Sequence, residues 1–189
     1  MRTLKKQFFI MAIVLLLALT FSIVPASAAS TSEPQPKYDV YLNLDGIPGD
    51  STVKNYEKWI QLADVQFDVS SKASAVAGSG AGAGKAALEN FTITKPFDSA
   101  SIPLFVDMAT GKNIAKGQLV FVSNALQPAA ILTIDLSTVF ISDYKFDDTH
   151  ETISLRFGGI KMSYTPITAK GTKGTPITGG WDFIKNTKQ

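Results

Sequence analysis

The chain contains no cysteine and a single histidine, His150. Without cysteine there can be no disulfide, no thiolate metal site and no cysteine nucleophile. A single histidine excludes every site that needs two imidazoles, and any Ser-His-Asp arrangement would have to use His150 itself. The fold must therefore be held by its hydrophobic core, which a chain of this length can supply.

His150 lies in the segment F-D-D-T-H-E-T at 146–152, whose Asp and Thr residues favour an exposed hairpin turn. Its carboxylates could in principle hold a divalent cation, but the glycine and the D-x-D-x-D-G order of a calcium loop are missing. No G-x-S-x-G nucleophile elbow occurs either. We interpret the segment as a solvated turn and predict no catalytic residue, no cofactor and no metal site.

The N-terminal segment has the pattern of a secretory signal peptide. Basic residues at 2, 5 and 6 precede an apolar run at 8–24 and the small-residue motif A-S-A at 26–28. We predict cleavage between Ala28 and Ala29, a secreted product, and membrane contact only through this segment before cleavage. An uncleaved anchor is the alternative, but 17 apolar residues fall short of the roughly 20 that span a bilayer.

Removing the signal peptide also removes the apparent basic character of the chain. The whole sequence has 18 basic and 16 acidic residues, and the product after cleavage would have 15 basic against 16 acidic. This balance gives no electrostatic basis for binding nucleic acid. After the signal peptide (1–28) we predict a polar, proline-containing tether at 29–36 and one domain, without internal repeats, at 37–189.

A glycine-alanine run, A-S-A-V-A-G-S-G-A-G-A-G-K-A, occupies residues 73–86. It suggests a phosphate-binding loop, but the G-x-x-x-x-G-K-[ST] pattern fails because Ser79 stands at the first glycine position and Ala86 follows Lys85. Small residues cannot bury enough apolar area to fix such a segment. Since long loops in compact domains are usually functional or disordered, we interpret the run as a long loop between two strands.

The rest of the domain alternates apolar and polar residues with period two, which predicts about eight half-buried strands in a barrel or small sandwich. The parity changes at residues 63–64, which predicts a bulge or bend there. One segment has helical spacing instead, because Ile102, Phe105, Val106 and Ala109 fall on one face of a helix that Gly111 would end. The two tryptophans, at 59 and 181, lie in alternating segments and are expected in the core or an interface.

Six motifs occur in an order that resembles the haemolysin-coregulated protein (Hcp) family, the tube proteins of type VI secretion systems. The motifs are Y-L-N-L-D-G-I-P-G-D-S at 41–51, F-T-I-T-K with D-S-A-S at 91–101, T-G-K at 110–112, E-T-I-S-L-R-F at 151–157, M-S-Y-T-P at 162–166 and G-G-W-D at 179–182. The resemblance spans about residues 38–186. No single motif is diagnostic, but the ordered set is specific.

The resemblance implies a mainly β protein, a compact β-barrel of two sheets with one flanking α-helix, that forms homohexameric rings. Stacked rings form a tube that carries small effector proteins in its lumen and ends in a spike protein, and the tube domain has no catalytic residues. In this family an extended loop after the second strand contacts neighbouring subunits. By position this loop is 71–85 here, so the expected interface residues are Ser71, Ala77, Gly78, Gly80, Gly82, Gly84 and Lys85.

The signal peptide departs from the family, whose tube proteins assemble in the cytoplasm without one. Membership of the family is therefore a firmer expectation than a part in a contractile machine. We expect a secreted, non-enzymatic protein that assembles into homohexameric rings, and the further expectation is that these rings stack into a tube of a type VI-like apparatus. The alternative is a monomeric extracellular binding or adhesion module that reuses the Hcp fold outside any secretion machine.

Overall fold

The period-two alternation corresponds to antiparallel β-strands in the computed structural model, which describes residues 38–71, 85–123, 129–168 and 171–189. The predicted signal peptide, the tether and most of the glycine run lie outside these residues. The nine described strands are β1 (Tyr38–Leu44), β2 (Ile60–Leu62), β3 (Asp64–Ser71), β4 (Ala86–Pro96), β5 (Ile114–Ser123), β6 (Ala129–Phe146), β7 (His150–Tyr164), β8 (Ile177–Asp182) and β9 (Thr187–Lys188). One helix, α1 (Ser101–Thr110), lies between β4 and β5.

Seven of the nine described strands form one antiparallel path in the order β2-β1-β5-β6-β7-β4-β3, and β8, which pairs with β9, branches from it at β7. Its two ends, β2 and β3, are consecutive in the chain and are separated only by Ala63, whose N–H donates to the Thr94 carbonyl oxygen of β4 at 2.8 Å. Residues 60–71 therefore pair with β1 through β2 and with β4 through β3. The bend predicted at 63–64 is present, and through it the sheet wraps around its core. The two sheets expected from the resemblance are parts of this one hydrogen-bonded path.

The sheet forks along one edge of β7. One edge of β7 pairs with β6 along most of the length of β7. The opposite edge of β7 pairs with β4 at residues 150–154 and with β8 at residues 159–164. Beyond Thr92, β4 continues to Ala86 paired with β3 alone. We call this two-stranded extension, residues 67–71 with 86–91, the ribbon. The ribbon and β8 therefore diverge from a common strand.

The main core is built from the inward side chains of these strands, and Leu104 and Met108 of the helix pack into it. Its fully buried members include Leu42, Ile60, Phe91, Ile93, Leu104, Leu119, Val139, Ile153 and Leu155. A second, smaller cluster lies around Tyr41, whose ring stacks on that of Tyr56 with centroids 4.8 Å apart, and Trp59 packs against it. Trp181 packs against the main core. Both tryptophans thus contribute to packing, as expected.

Helix α1 forms where the spacing predicts it, but its apolar face points outward. Ile102, Phe105, Val106 and Ala109 are exposed, and the buried residues are Ser101, Leu104 and Asp107. The reason is that Leu104 packs into the main core, which turns the opposite face to solvent. The helix ends at Gly111 in the left-handed conformation, with φ 66°, as predicted. No helix among the described residues is long and apolar enough to cross a membrane.

Gly49 is required by a close approach of backbone segments. A Cβ at this position would lie 2.5 Å from the Trp59 carbonyl oxygen and 2.7 Å from the Ile60 Cα, and backbone atoms cannot move aside. We expect Gly49→Ala to lower the free energy of unfolding by about 3 kcal/mol, as overpacking does. Gly111→Ala is the control, because a Cβ there meets no atom within 4 Å and costs about 1 kcal/mol through its positive φ. Urea unfolding measures both, and equal losses would contradict the close approach.

Candidate functional site: two apolar surfaces

An apolar groove of about 290 Å³ lies where the sheet forks. One wall is the ribbon, the floor is the C-terminal half of β7, and the other wall is β8 with the residue after it. Its lining residues are Phe67, Val69, Ala86, Ile160, Met162, Gly180, Trp181 and Phe183. Phe67, Val69 and Met162 are 36%, 44% and 38% exposed, so the groove presents large apolar side chains to solvent.

Beneath the groove, aromatic rings connect the ribbon to the core. Phe91 and Phe157 are buried edge to face with centroids 5.2 Å apart, and Phe67 lies 5.4 Å from Phe91. Arg156 ties the ribbon to β7 by donating to the Leu88 carbonyl oxygen at 2.7 Å. These contacts hold the ribbon at a fixed distance from β8, so the groove is a built feature of the fold.

The expected interface loop begins at the outer end of this groove. Ser71 pairs with Ala86 at the tip of the ribbon, and Lys85 directly precedes Ala86. The structure therefore brings Ser71 and Lys85 together beside the groove. The other expected interface residues, Ala77, Gly78, Gly80, Gly82 and Gly84, lie outside the described residues.

A second apolar surface lies on the outer side of the helix, and we call it the aromatic patch. Its members are 46–61% exposed: Phe97, Ile102, Phe105, Val106 and Phe146. Phe97 contacts Phe146 edge to face with centroids 5.9 Å apart, and Phe105 contacts Tyr144 at 5.7 Å. This surface was not among the sites expected from the sequence, although the helical spacing of Ile102, Phe105 and Val106 is visible there.

A buried ionic network lies under the aromatic patch. The Lys95 ammonium is fully buried and lies 2.5 Å from Glu151 Oε2, 2.7 Å from Asp98 Oδ1 and 2.9 Å from Ser101 Oγ. Ser101 donates to Glu151 at 2.6 Å, and Tyr144 donates its hydroxyl proton to the other carboxylate oxygen. Three of these residues fall in the F-T-I-T-K and D-S-A-S motifs at 91–101, so the motif serves to fix the start of α1 on β7.

This network keeps Glu151 ionised. Burial alone would raise the pKa of Glu151, but the hydrogen bonds from Lys95, Ser101 and Tyr144 outweigh it and hold that pKa below the usual value. The pKa of Tyr144 is raised, first by burial and then by its bond to the Glu151 carboxylate. Because the folded pKa of Glu151 is depressed, its stabilising contribution is present above the usual glutamate pKa and is lost as the pH falls through the folded value.

In the turn that carries His150, the polar groups form hydrogen bonds with one another. Asp147 Oδ1 accepts hydrogen bonds from the backbone N–H of His150 at 2.8 Å and of Thr149 at 3.0 Å. These bonds lower the pKa of Asp147 and define a hairpin turn of the predicted kind. In the described part of the chain, no group of three or more Asp, Glu, His or Cys residues could hold a metal ion.

A larger, polar groove of about 450 Å³ lies across β1, β5, β6 and β7. Its charged lining residues are Asp45, Lys116, Asp135 and Lys161, and Asp135 accepts a hydrogen bond from Gln118 at 2.7 Å. These two lysines and two aspartates balance in charge. His150 does not line this groove, because it lies in the turn between β6 and β7. The groove thus offers a polar surface without an imidazole base beside a nucleophile.

A known protein family matches most of the domain described above. The family described as "Type VI secretion system effector, Hcp" matches residues 41–164. The chain belongs to the Hcp family. The match covers the buried network, the ribbon and the aromatic patch, whereas the β8 wall of the groove lies beyond it. No curated protein matches the chain in sequence.

Solved structures of type VI secretion proteins, Hcp proteins among them, have the same fold. A structure of a type six secretion system protein is 27% identical, with a TM-score of 0.75, and the match covers 80% of this chain and 99% of that one. Hcp1 from Salmonella typhimurium is 26% identical, with a TM-score of 0.66 and coverage of 81% and 99%. Hcp2 from the same organism is 25% identical, with a TM-score of 0.61 and coverage of 79% and 99%. The described domain therefore corresponds to a whole Hcp chain.

Removing Lys95 should destabilise the protein more than removing Glu151, because Lys95 has two carboxylate partners. Lys95→Met leaves two neighbouring carboxylates, Glu151 and Asp98, without their cation and should lower the free energy of unfolding by about 3–5 kcal/mol. Glu151→Met leaves the Lys95–Asp98 pair intact and should cost less. The double variant should lie close to Glu151→Met, far from the sum of the singles. Urea unfolding of the four proteins gives the cycle, and two equal, additive losses would contradict a network centred on Lys95.

Proposed function

We propose that this chain is a secreted, non-enzymatic structural protein that assembles into homohexameric rings. In the finer form of the proposal the rings stack into a tube of a type VI-like apparatus, carry small effector proteins in the lumen and meet a spike protein at one end. The observation that carries the proposal is the match to the Hcp family over 41–164, on a domain that spans a whole Hcp chain.

The edges of the sheet support assembly. In the described part of the chain β3 pairs with β4 along one side only, and β9 pairs with β8 alone. Strand edges with N–H and C=O groups available are templates for a neighbouring chain. A ring closes such contacts between unlike surfaces without leaving a free end.

The absence of a recognised catalytic arrangement is consistent with a structural role. His150, the single histidine, lies in a turn whose polar groups bond to one another. The buried Lys95 is held between the carboxylates of Glu151 and Asp98. Among the described residues, eight of the fourteen exposed large apolar side chains are clustered on the groove and the aromatic patch, and clustered apolar exposure is typical of sites that bind proteins.

The mass of the purified protein tests the ring proposal. The full-length chain is expressed in a secreting host, and mass spectrometry of the product identifies its N-terminus, expected at Ala29. We expect multi-angle light scattering at tens of micromolar to give six chains, and negative-stain microscopy to give rings. A mass of one chain would reject the ring and favour the monomeric binding module.

Deleting residues 77–84 tests the expected interface loop. We expect the deletion to weaken the stacking of rings while the domain stays folded, because Ser71 and Ala86 still pair at the ribbon tip. Circular dichroism reports the fold, and sedimentation velocity reports the distribution of rings and stacks. Loss of the β signal in the deletion variant would place the loop in the core, and unchanged stacking would reject it as a contact.

A further inference from the structure

The aromatic patch and the apolar groove lie far apart on the same molecule. The patch adjoins the start of β7, since Phe146 pairs with Glu151, whereas the groove floor is formed by Ile160 and Met162. Along β4 the two surfaces are closer, since Phe67 of the groove pairs with Phe91, six residues before Phe97 of the patch. Six to nine residues of strand therefore separate them, which is roughly 20–30 Å at the usual rise. The described domain therefore cannot bury one of these surfaces against the other.

The two surfaces also differ in shape. The patch consists of side chains that project from a helix and a strand end, and the groove is a cleft between diverging strands. A helix face that fills an apolar groove is a recurrent mode of recognition, with anchors at i, i+3 and i+4. Ile102, Phe105 and Val106 have this spacing.

The size of the patch matches what an interface requires. Five large apolar residues that are about half exposed present roughly 500 Å² in total. This value lies within the 300–600 Å² of the largest patches on monomers, which are often functional. Burying it against an equal area gives roughly 1,000 Å², the lower bound for a specific protein interface.

The charges around the two surfaces have opposite signs. Asp147 and Asp148 are exposed in the turn directly after Phe146 of the patch, and Lys145, directly before Phe146, is bridged to Asp143 at 3.4 Å, so the net charge beside the patch is negative. Exposed lysines flank the groove: Lys85 precedes Ala86, Lys188 pairs in register with Trp181, and Lys185, which is bridged to Asp182 at 3.6 Å, follows Phe183 closely. Such a pattern favours contact between the patch and the groove over patch against patch.

From these observations we infer that the aromatic patch of one copy occupies the apolar groove of the next copy of this chain. This inference deepens the proposed ring, on which it rests, by assigning its two contact surfaces. The contact is heterologous, so each copy uses its patch on one side and its groove on the other, and repetition closes a ring. The acidic turn of one subunit then faces the lysines of its neighbour.

Two variants separate the surfaces. Phe105→Glu places a charge in the patch and leaves the groove intact, and Met162→Glu does the reverse. Phe140→Glu is the matched control, because Phe140 is an exposed phenylalanine of β6 that belongs to neither surface. Ile102→Glu and Val69→Glu are second variants of the patch and the groove, used if circular dichroism shows that a first variant is unfolded.

Light scattering of each variant and of their mixture tests the inference. We expect the wild type and Phe140→Glu to assemble, and the patch and groove variants each to have the mass of one chain. An equimolar mixture of the two variants should form a dimer of twice that mass and go no further, because one intact patch meets one intact groove.

Several outcomes would overturn the inference. Assembly of the patch variant alone, assembly of the groove variant alone, or a mixture that stays monomeric would each reject the pairing of patch with groove. If the wild type assembles while a variant does so equally well, only the contact assignment fails. If the wild type is monomeric, the proposed ring fails as well, and the two failures are thereby distinguished.

Discussion

The buried ammonium of Lys95 is the interaction on which the rest of the domain depends. It lies within hydrogen-bond distance of Glu151, Asp98 and Ser101, and thereby joins the end of β4, the start of β7 and the first turn of α1. A buried ion pair is weak support for stability in itself, since desolvation offsets much of the attraction. Its role here is to position these three elements, because they can bind the ammonium together in only one arrangement. That arrangement fixes which face of the helix meets the core.

The orientation of α1 shows both how far the sequence predicts the fold and where it fails. Periodicity predicted the helix and its end at Gly111, and the bend between β2 and β3 followed from a parity change. An apolar helix face usually packs on the core, but Ile102, Phe105 and Val106 are exposed. The helix instead buries Leu104 with Ser101 and Asp107, two polar residues that hydrophobic patterning counts as exposed. Polar partners that are distant in sequence, above all Glu151, decide the orientation, and a local pattern cannot contain them.

The groove was unpredictable for a related reason. Alternation identified the strands that form it, but the groove exists because β4 and β8 share one edge of β7 and then diverge. Which strands share an edge is a property of the topology, and local patterns do not determine it. The loop that the resemblance predicts as an interface adjoins this groove, since its end residues Ser71 and Lys85 lie at the ribbon tip.

Tyr144 connects the interior to the surface. Its ring contacts Phe105 of the aromatic patch, and its hydroxyl donates to the same carboxylate that Lys95 and Ser101 contact. The network that orients the helix therefore also supports the exposed patch from below. A patch supported in this way stays in place without a partner, so that little conformational entropy is lost when a surface binds it. The same constraint thus explains why an apolar helix face is tolerated outside the core and why it is suited to contact another chain.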